Sequence, residues 1–133
     1  MMLRIITVLV LAVAPMAHSQ EGAGSSCQSL GDRLFTGNCK SFVNYFKDKA
    51  DYAITQSDSA FKGTVGGAPY PSDACCYDAR DFTTSGCSCD ATVIEGGKRN
   101  GLKENAIRII ARATMFSRCT GSQFGGDISN GGC

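Results

Sequence analysis

Beyond Cys39 the apolar positions Phe42, Tyr45, Phe46, Ala50 and Ala53 form one stripe, while Lys40, Asn44, Lys47, Asp48 and Asp51 occupy the opposite face. That pattern predicts a single amphipathic helix reaching Ala53. The same period is clearest near the end of the chain, from Leu102 to about Arg118, where Leu102, Ala106, Ile109, Ile110, Ala113 and Phe116 share a face. Glu104, Arg108 and Arg112 share another, four residues apart, where opposite charges pair favourably. Two shorter helices are expected. One lies between Cys27 and Cys39, carrying Leu30, Leu34 and Phe35 and stopped by Gly37-Asn38. The other is capped by Ser72 or Asp73, contains Cys75-Cys76, runs to about Phe82 and ends before Gly86. Between Thr55 and Pro71 periodicity is lost among serines, glycines and prolines, which predicts a long loop. Strand signal is confined to Ala91–Ile94, and the segment from Thr120 onward is glycine-rich. The expected fold class is all-α: four short helices and an irregular C-terminal tail.

The beginning of the chain has a different character. Arg4 precedes the apolar run Ile5–Ala14 and the small-residue stretch Ala17-His18-Ser19, the layout of a secretory signal peptide cleaved after Ser19. The run is shorter than the roughly 20 residues a membrane-crossing helix needs, and no later segment approaches that length, so no stable membrane anchor is expected. Residues 20–133 are then one domain, opened by a Gly/Ser-rich leader over 20–26. The expected location is extracellular, the apoplast or cell wall if the source is a plant. No Asn-x-Ser/Thr sequon is present, so N-linked sugar is not expected.

Removing residues 1–19 takes away the single histidine and leaves twelve Lys plus Arg against twelve Asp plus Glu. A neutral chain without a basic stripe is a poor partner for nucleic acid or an anionic membrane. Without histidine, neither a Ser-His nor a Cys-His nucleophile pair can be built, and no phosphate loop or dinucleotide fingerprint occurs. Asp78 and Asp81 stand three apart on an expected helix, a spacing more typical of solvated charges than of a general acid/base pair. Lys98-Arg99, beside glycines, reads as a solvated turn. No catalytic residue, cofactor or metal is expected, and the chain is expected to be monomeric.

All eight cysteines, Cys27, Cys39, Cys75, Cys76, Cys87, Cys89, Cys119 and Cys133, lie beyond the leader. An even number in an oxidising compartment implies a disulfide framework, and no CxxC spacing or histidine supports zinc instead. Adjacent residues on a helix point about 100° apart, so Cys75 and Cys76 must reach two different elements. An extended Cys87-Ser88-Cys89 would serve two partners as well. Spacing alone leaves about 105 pairings open.

The order C-x11-C-x35-CC-x10-CxC-x29-C-x13-C, the Pro71-Ser72-Asp73-Ala74 entry to the paired cysteines and the helical pattern resemble the plant non-specific lipid transfer proteins. These belong to a wider eight-cysteine group that includes seed storage albumins and amylase/protease inhibitors. The resemblance implies the pairs Cys39–Cys75 and Cys76–Cys119. It also implies either Cys27–Cys89 with Cys87–Cys133, or Cys27–Cys87 with Cys89–Cys133; the hydrophilic Ser88 favours the former, as in type 1 members. The 35-residue gap before Cys75 is longer, and the 10-residue gap after Cys76 shorter, than in common members. Thr83 stands where type 1 members carry a headgroup arginine, with Arg80 as the nearest substitute. Gly125, next to Phe124, stands where the family has a tail tyrosine.

The function so implied is lipid binding. Disulfides stabilise chiefly by limiting the unfolded chain, so a fold they hold can enclose an apolar gap. Such a gap stays dry and accepts an acyl chain, with about 25 cal/mol gained per Å2 of apolar surface buried. Candidate liners are Leu30, Leu34, Phe42, Phe46, Ala79, Phe82, Ile109, Ile110, Ala113, Phe116, Phe124 and Ile128, with Arg80 for a headgroup. The competing expectation for each is ordinary core packing, or for Arg80 a solvated helix position. The alternative function is an inhibitor of digestive hydrolases, proteases or amylases, presenting the long 55–71 loop. A membrane-disturbing defence peptide is a third, disfavoured by neutrality.

Overall fold

A computed structural model of the chain describes residues 23–124, with side chains described from Cys27 onward. The expected signal peptide, Ile128, Cys133 and the rest of the tail lie outside these residues. Local capping sets several of the helices. Ser72 Oγ accepts from the Cys75 amide at 3.1 Å, and Asp90 Oδ1 accepts from the Thr92 and Val93 amides at 2.8 and 3.3 Å. Ser57 Oγ accepts from the Ala60 amide at 3.4 Å. Each satisfies amides that a helix start otherwise leaves unpaired.

The described residues form seven α-helices and no strand: α1 (Ala23–Thr36), α2 (Lys40–Tyr45), α3 (Ala50–Ala53), α4 (Asp58–Gly66), α5 (Asp73–Thr84), α6 (Ala91–Arg99) and α7 (Glu104–Phe116). Short 3-10 turns occupy Cys87–Cys89 and Ser122–Phe124. The all-α expectation holds, while the count of four does not.

Each difference has a local cause. The helix expected to reach Ala53 breaks after Tyr45, where Phe46, Lys47 and Lys49 donate backward three residues instead of four. This tightening carries the chain through the exposed Lys47-Asp48-Lys49 turn and still returns Ala50 and Ala53 to the interior. The segment expected as a long loop contains α4. Ser57 caps it, and Phe61 and Val65, four apart, bury its inner face; Gly63 and Gly66 thin out the apolar pattern. Ala91–Ile94 is the start of α6, because the Asp90 cap makes a helix start of what the apolar residues alone suggest is a strand. Lys98 and Arg99 therefore belong to the last turn of α6, and Lys98 is ion-paired with Glu95 and Glu104. The Gly/Ser-rich leader over 20–26 is already helical from Ala23.

Helix α7 is the axis of the fold, in contact with α3, α4, α5 and α6, while α1 lies across α2, α5 and α6. Leu34, Phe46, Phe61, Phe82, Ile107, Ile109 and Ile110 are all fully buried in one continuous core. Aromatic rings run through it: Phe42 to Phe46 at 5.4 Å, Phe46 to Phe61 at 6.3 Å and Phe61 to Phe116 at 5.9 Å between centroids.

The cross-links Cys39–Cys75 and Cys76–Cys119 are as the resemblance implied, so the two neighbouring cysteines of α5 reach the start of α2 and the chain beyond α7. The third bridge corrects the favoured arrangement: Cys27 is joined to Cys87, not to Cys89. The CxC segment is a 3-10 turn entered through Gly86 at φ 67°, not an extended strand. In that turn Cys87 faces the core and Ser88 is buried, while Cys89 points outward. The polarity of Ser88 thus misreports which cysteine faces in. Cys89 is also disulfide-bonded, and its expected partner, Cys133, lies outside the described residues.

Candidate functional site

After α4 the chain cannot pass straight into α5. Pro69 and Pro71 carry no amide hydrogen and fix φ, so the stretch between Ala68 and the Ser72 cap stays non-helical. Ala68 is turned back by its amide donating to the Val65 carbonyl at 3.0 Å. Gly67 lets the backbone approach Tyr45, whose hydroxyl would collide with any Cβ placed there. Opposite this loop, α7 ends at Phe116, and the residues after it are fixed by the Cys76–Cys119 bridge and by the Cys119 amide donating to Ser117 Oγ at 3.1 Å.

Between these walls lies a groove of about 220 Å3, lined chiefly by Phe42, Val65, Ala68, Tyr70, Phe116 and Arg118. Phe42 and Val65 are buried and Phe116 and Ala68 half-buried, so the floor is apolar. Arg118 is the charged member of the wall. Its Nη1 donates to the Pro71 carbonyl at 2.8 Å and its Nη2 to Asp73 Oδ1 at 2.7 Å. Its guanidinium lies 4.7 Å from the centre of the Tyr70 ring and 5.2 Å from that of Phe124. The hydrogen bond to Asp73 raises the Arg118 pKa further above its already high value, so the charge is permanent. Arg112 anchors the chain on the other side of α4: Nη2 donates to the Gln56 carbonyl at 2.7 Å and Asp58 Oδ1 at 2.8 Å, over the face of Phe61.

A second hollow, about 390 Å3, lies between α1 and α5 and is lined by Ser29, Leu30, Arg33, Asp81, Thr84 and Ser85. Hydroxyls and charges dominate it, which suits water better than an acyl chain.

The expected lipid-facing residues divide. Phe42 and Phe116 line the groove. Leu30, Leu34, Phe46, Ala79, Phe82, Ile109, Ile110 and Ala113 are buried in the main core, packed on one another. Phe124 is buried in a small separate cluster with Cys76 and Cys119, beneath Arg118. Arg80 is half-buried on α5 and does not line the groove. Thr83 is wholly buried, and its hydroxyl has no hydrogen-bond partner. Asp78 is ion-paired with Arg33 at 3.2 Å, while Asp81 is exposed at the polar hollow. Among the described residues no cluster of His, Cys, Asp or Glu could hold a metal ion.

Sequence reasoning missed Val65, Ala68, Tyr70 and Arg118. Val65 and Ala68 were hidden inside the expected loop. The pointer to the others was the Pro69-Tyr70-Pro71 triplet, which holds an aromatic ring on a stiff backbone, and an arginine next to a bridged cysteine. Comparisons with family models, curated proteins and solved structures returned no match to this chain.

Proposed function

We propose that this is a secreted, monomeric lipid-binding protein of the lipid-transfer type, taking the acyl chains of fatty acids or phospholipids. The observation that supports this reading is the groove: an apolar floor of phenylalanine, valine and alanine beside one permanently charged guanidinium. An amphiphile has that polarity, with a chain to bury and a polar head to set against the Arg118–Asp73 ion pair. The apolar contact is non-directional, so selectivity among chains is low. At about 220 Å3 the groove is smaller than the roughly 300–1,000 Å3 of typical small-molecule sites, so it takes part of a chain. The headgroup cation in this reading is Arg118, not Arg80. In this reading Phe42 and Phe116 contact the chain, while Leu34, Phe46, Ala79, Phe82, Ile109, Ile110 and Ala113 are core residues.

The inhibitor alternative rested on a long free loop, and α4 occupies the middle of that segment. Equilibrium uptake of a fluorescent fatty acid by the oxidised chain, with a reduced sample as control, tests the lipid reading. Saturable uptake lost on reduction is expected. Absence of uptake by the oxidised chain, together with potent inhibition of trypsin or amylase, overturns it in favour of the inhibitor.

A further inference from the structure

Four large hydrophobic residues stand exposed among the described residues, Tyr52, Tyr70, Tyr77 and Met115, and two of them are linked through Arg118 and Phe124. Tyr70 is 81% exposed and Tyr77 53% exposed. They are the ends of one continuous stack. Tyr70 lies on Arg118, Arg118 on Phe124 at 5.2 Å, and Phe124 meets Tyr77 edge-on at 5.5 Å. Tyr70 is further fixed by the prolines on both sides of it, so little conformational freedom remains to be lost on contact with a partner.

We infer that this tyrosine face docks on a zwitterionic bilayer and sets the mouth of the groove against the lipid, an assignment that rests on the lipid-binding reading of that groove. Tyrosine, apolar in its ring and polar at its tip, is suited to the boundary between acyl chains and headgroups. The charge pattern selects the kind of surface. The Arg118 cation is matched by Asp73 Oδ1 at 2.7 Å, and Asp73 lies one helical turn before Tyr77 on α5. A balanced pair offers no net attraction to an anionic membrane, but it complements a headgroup layer that carries both signs. Tyr70 and Arg118 also line the groove, so docking and loading share one rim.

The chain has no tryptophan, so a Tyr70→Trp variant of the full oxidised protein carries a single reporter. The probe is a phosphatidylcholine vesicle, used alone, with phosphatidylserine added, and with brominated acyl chains. A blue shift and quenching by bromine are expected. Added salt or anionic lipid should change vesicle affinity by less than about twofold, because screened charge attraction contributes little. Tyr52→Trp, on α3 and lining neither the groove nor the stack, is the control and should not shift. Tyr77→Ser should weaken vesicle binding several-fold while leaving fatty-acid uptake in solution unchanged, since Tyr77 does not line the groove. Uptake without any vesicle response overturns the docking face alone. A response without uptake upholds the face and removes the lipid role of the groove. Binding that requires anionic lipid, or a tyrosine face buried by self-association in solution, overturns the inference.

Discussion

Ile107 packs against the bare backbone of Gly97, so closely that a Cβ on Gly97 would run into both its Cγ1 and Cδ1 atoms and touch the Phe35 ring. The contact joins α6 to α7 and, through Phe35, to α1. Ile107 is fully buried, so it has nowhere to retreat. Gly97→Ala should therefore cost about 1–3 kcal/mol through overpacking, despite alanine's better helix propensity. The neighbouring Gly96 is the internal control. A Cβ there meets only Arg99 Nη2 at 3.6 Å, so Gly96→Ala should be neutral or stabilising by up to about 1 kcal/mol. The denaturant midpoint should fall for Gly97→Ala and hold or rise for Gly96→Ala.

Thr83 presents the reverse situation, a polar atom where the packing wants none. Its side chain is wholly buried and its hydroxyl unpaired. An unsatisfied buried group of this kind costs about 1–3 kcal/mol, so the nearly isosteric Thr83→Val should gain stability, raising the thermal midpoint by about 4 °C. A lower midpoint would show that the hydroxyl has a partner, such as a buried water.

Asp90 makes the start of α6 sensitive to acid. A hydrogen bond from the Thr92 hydroxyl, assisted by the Val93 and Thr92 amides, holds its carboxyl below the ordinary value against the opposing effect of burial. A depressed folded-state pKa gives stability that is present above the unfolded value, near 4, and is lost as pH falls through the lower folded value. Asp90→Asn keeps the capping oxygen and loses the titration. Its thermal midpoint should therefore match the parent's at neutral pH and fall less steeply below about pH 4. Asp90→Ala should cost about 1 kcal/mol at any pH above that.

Where side-chain periodicity and burial agree, the sequence was legible. The α7 stripe and the Ser72 entry to α5 were placed within a turn, because Ile109, Ile110, Ala113 and the Cys75-Cys76 pair all face inward as the period demands. Periodicity is silent when few residues carry it. Helix α4 buries only Phe61 and Val65, and its existence depends on the Ser57 cap. Helix α6 buries Gly96 and Gly97, which register as turn formers until the close approach of Ile107 explains them. The groove was half legible. Phe42 and Phe116 fall on recognisable stripes, but pairing Tyr70 with Arg118 takes a contact across 48 positions that no local pattern encodes.

The Cys27–Cys87 bridge closes a separation of 60 residues, so removing it as Cys27→Ser/Cys87→Ser should cost about 4 kcal/mol. That pair of substitutions removes both partners and should leave no free thiol. Cys27→Ser/Cys89→Ser, by contrast, strands both Cys87 and the partner of Cys89, and the unfolded protein should titrate with a thiol reagent. The reverse result would restore the pairing that Ser88 suggested.

A groove and an interior cavity respond differently to substitutions at Ala68 and Ile109. Ala68 is half-buried on the groove wall, so Ala68→Trp should fill the groove and lower fatty-acid affinity on the order of tenfold while changing stability by less than about 0.5 kcal/mol. Ile109 is fully buried in the main core and does not line the groove, so Ile109→Ala should cost about 2–5 kcal/mol and leave the affinity of the folded protein unchanged. An acyl chain held among the core helices would invert both outcomes. Enlarging the space at Ile109 would then alter chain-length preference, and blocking the rim at Ala68 would slow uptake without changing its equilibrium. Measuring affinity and uptake rate on the two variants, for chains of several lengths, therefore decides which residues of the phenylalanine and isoleucine stripes touch lipid and which only touch one another.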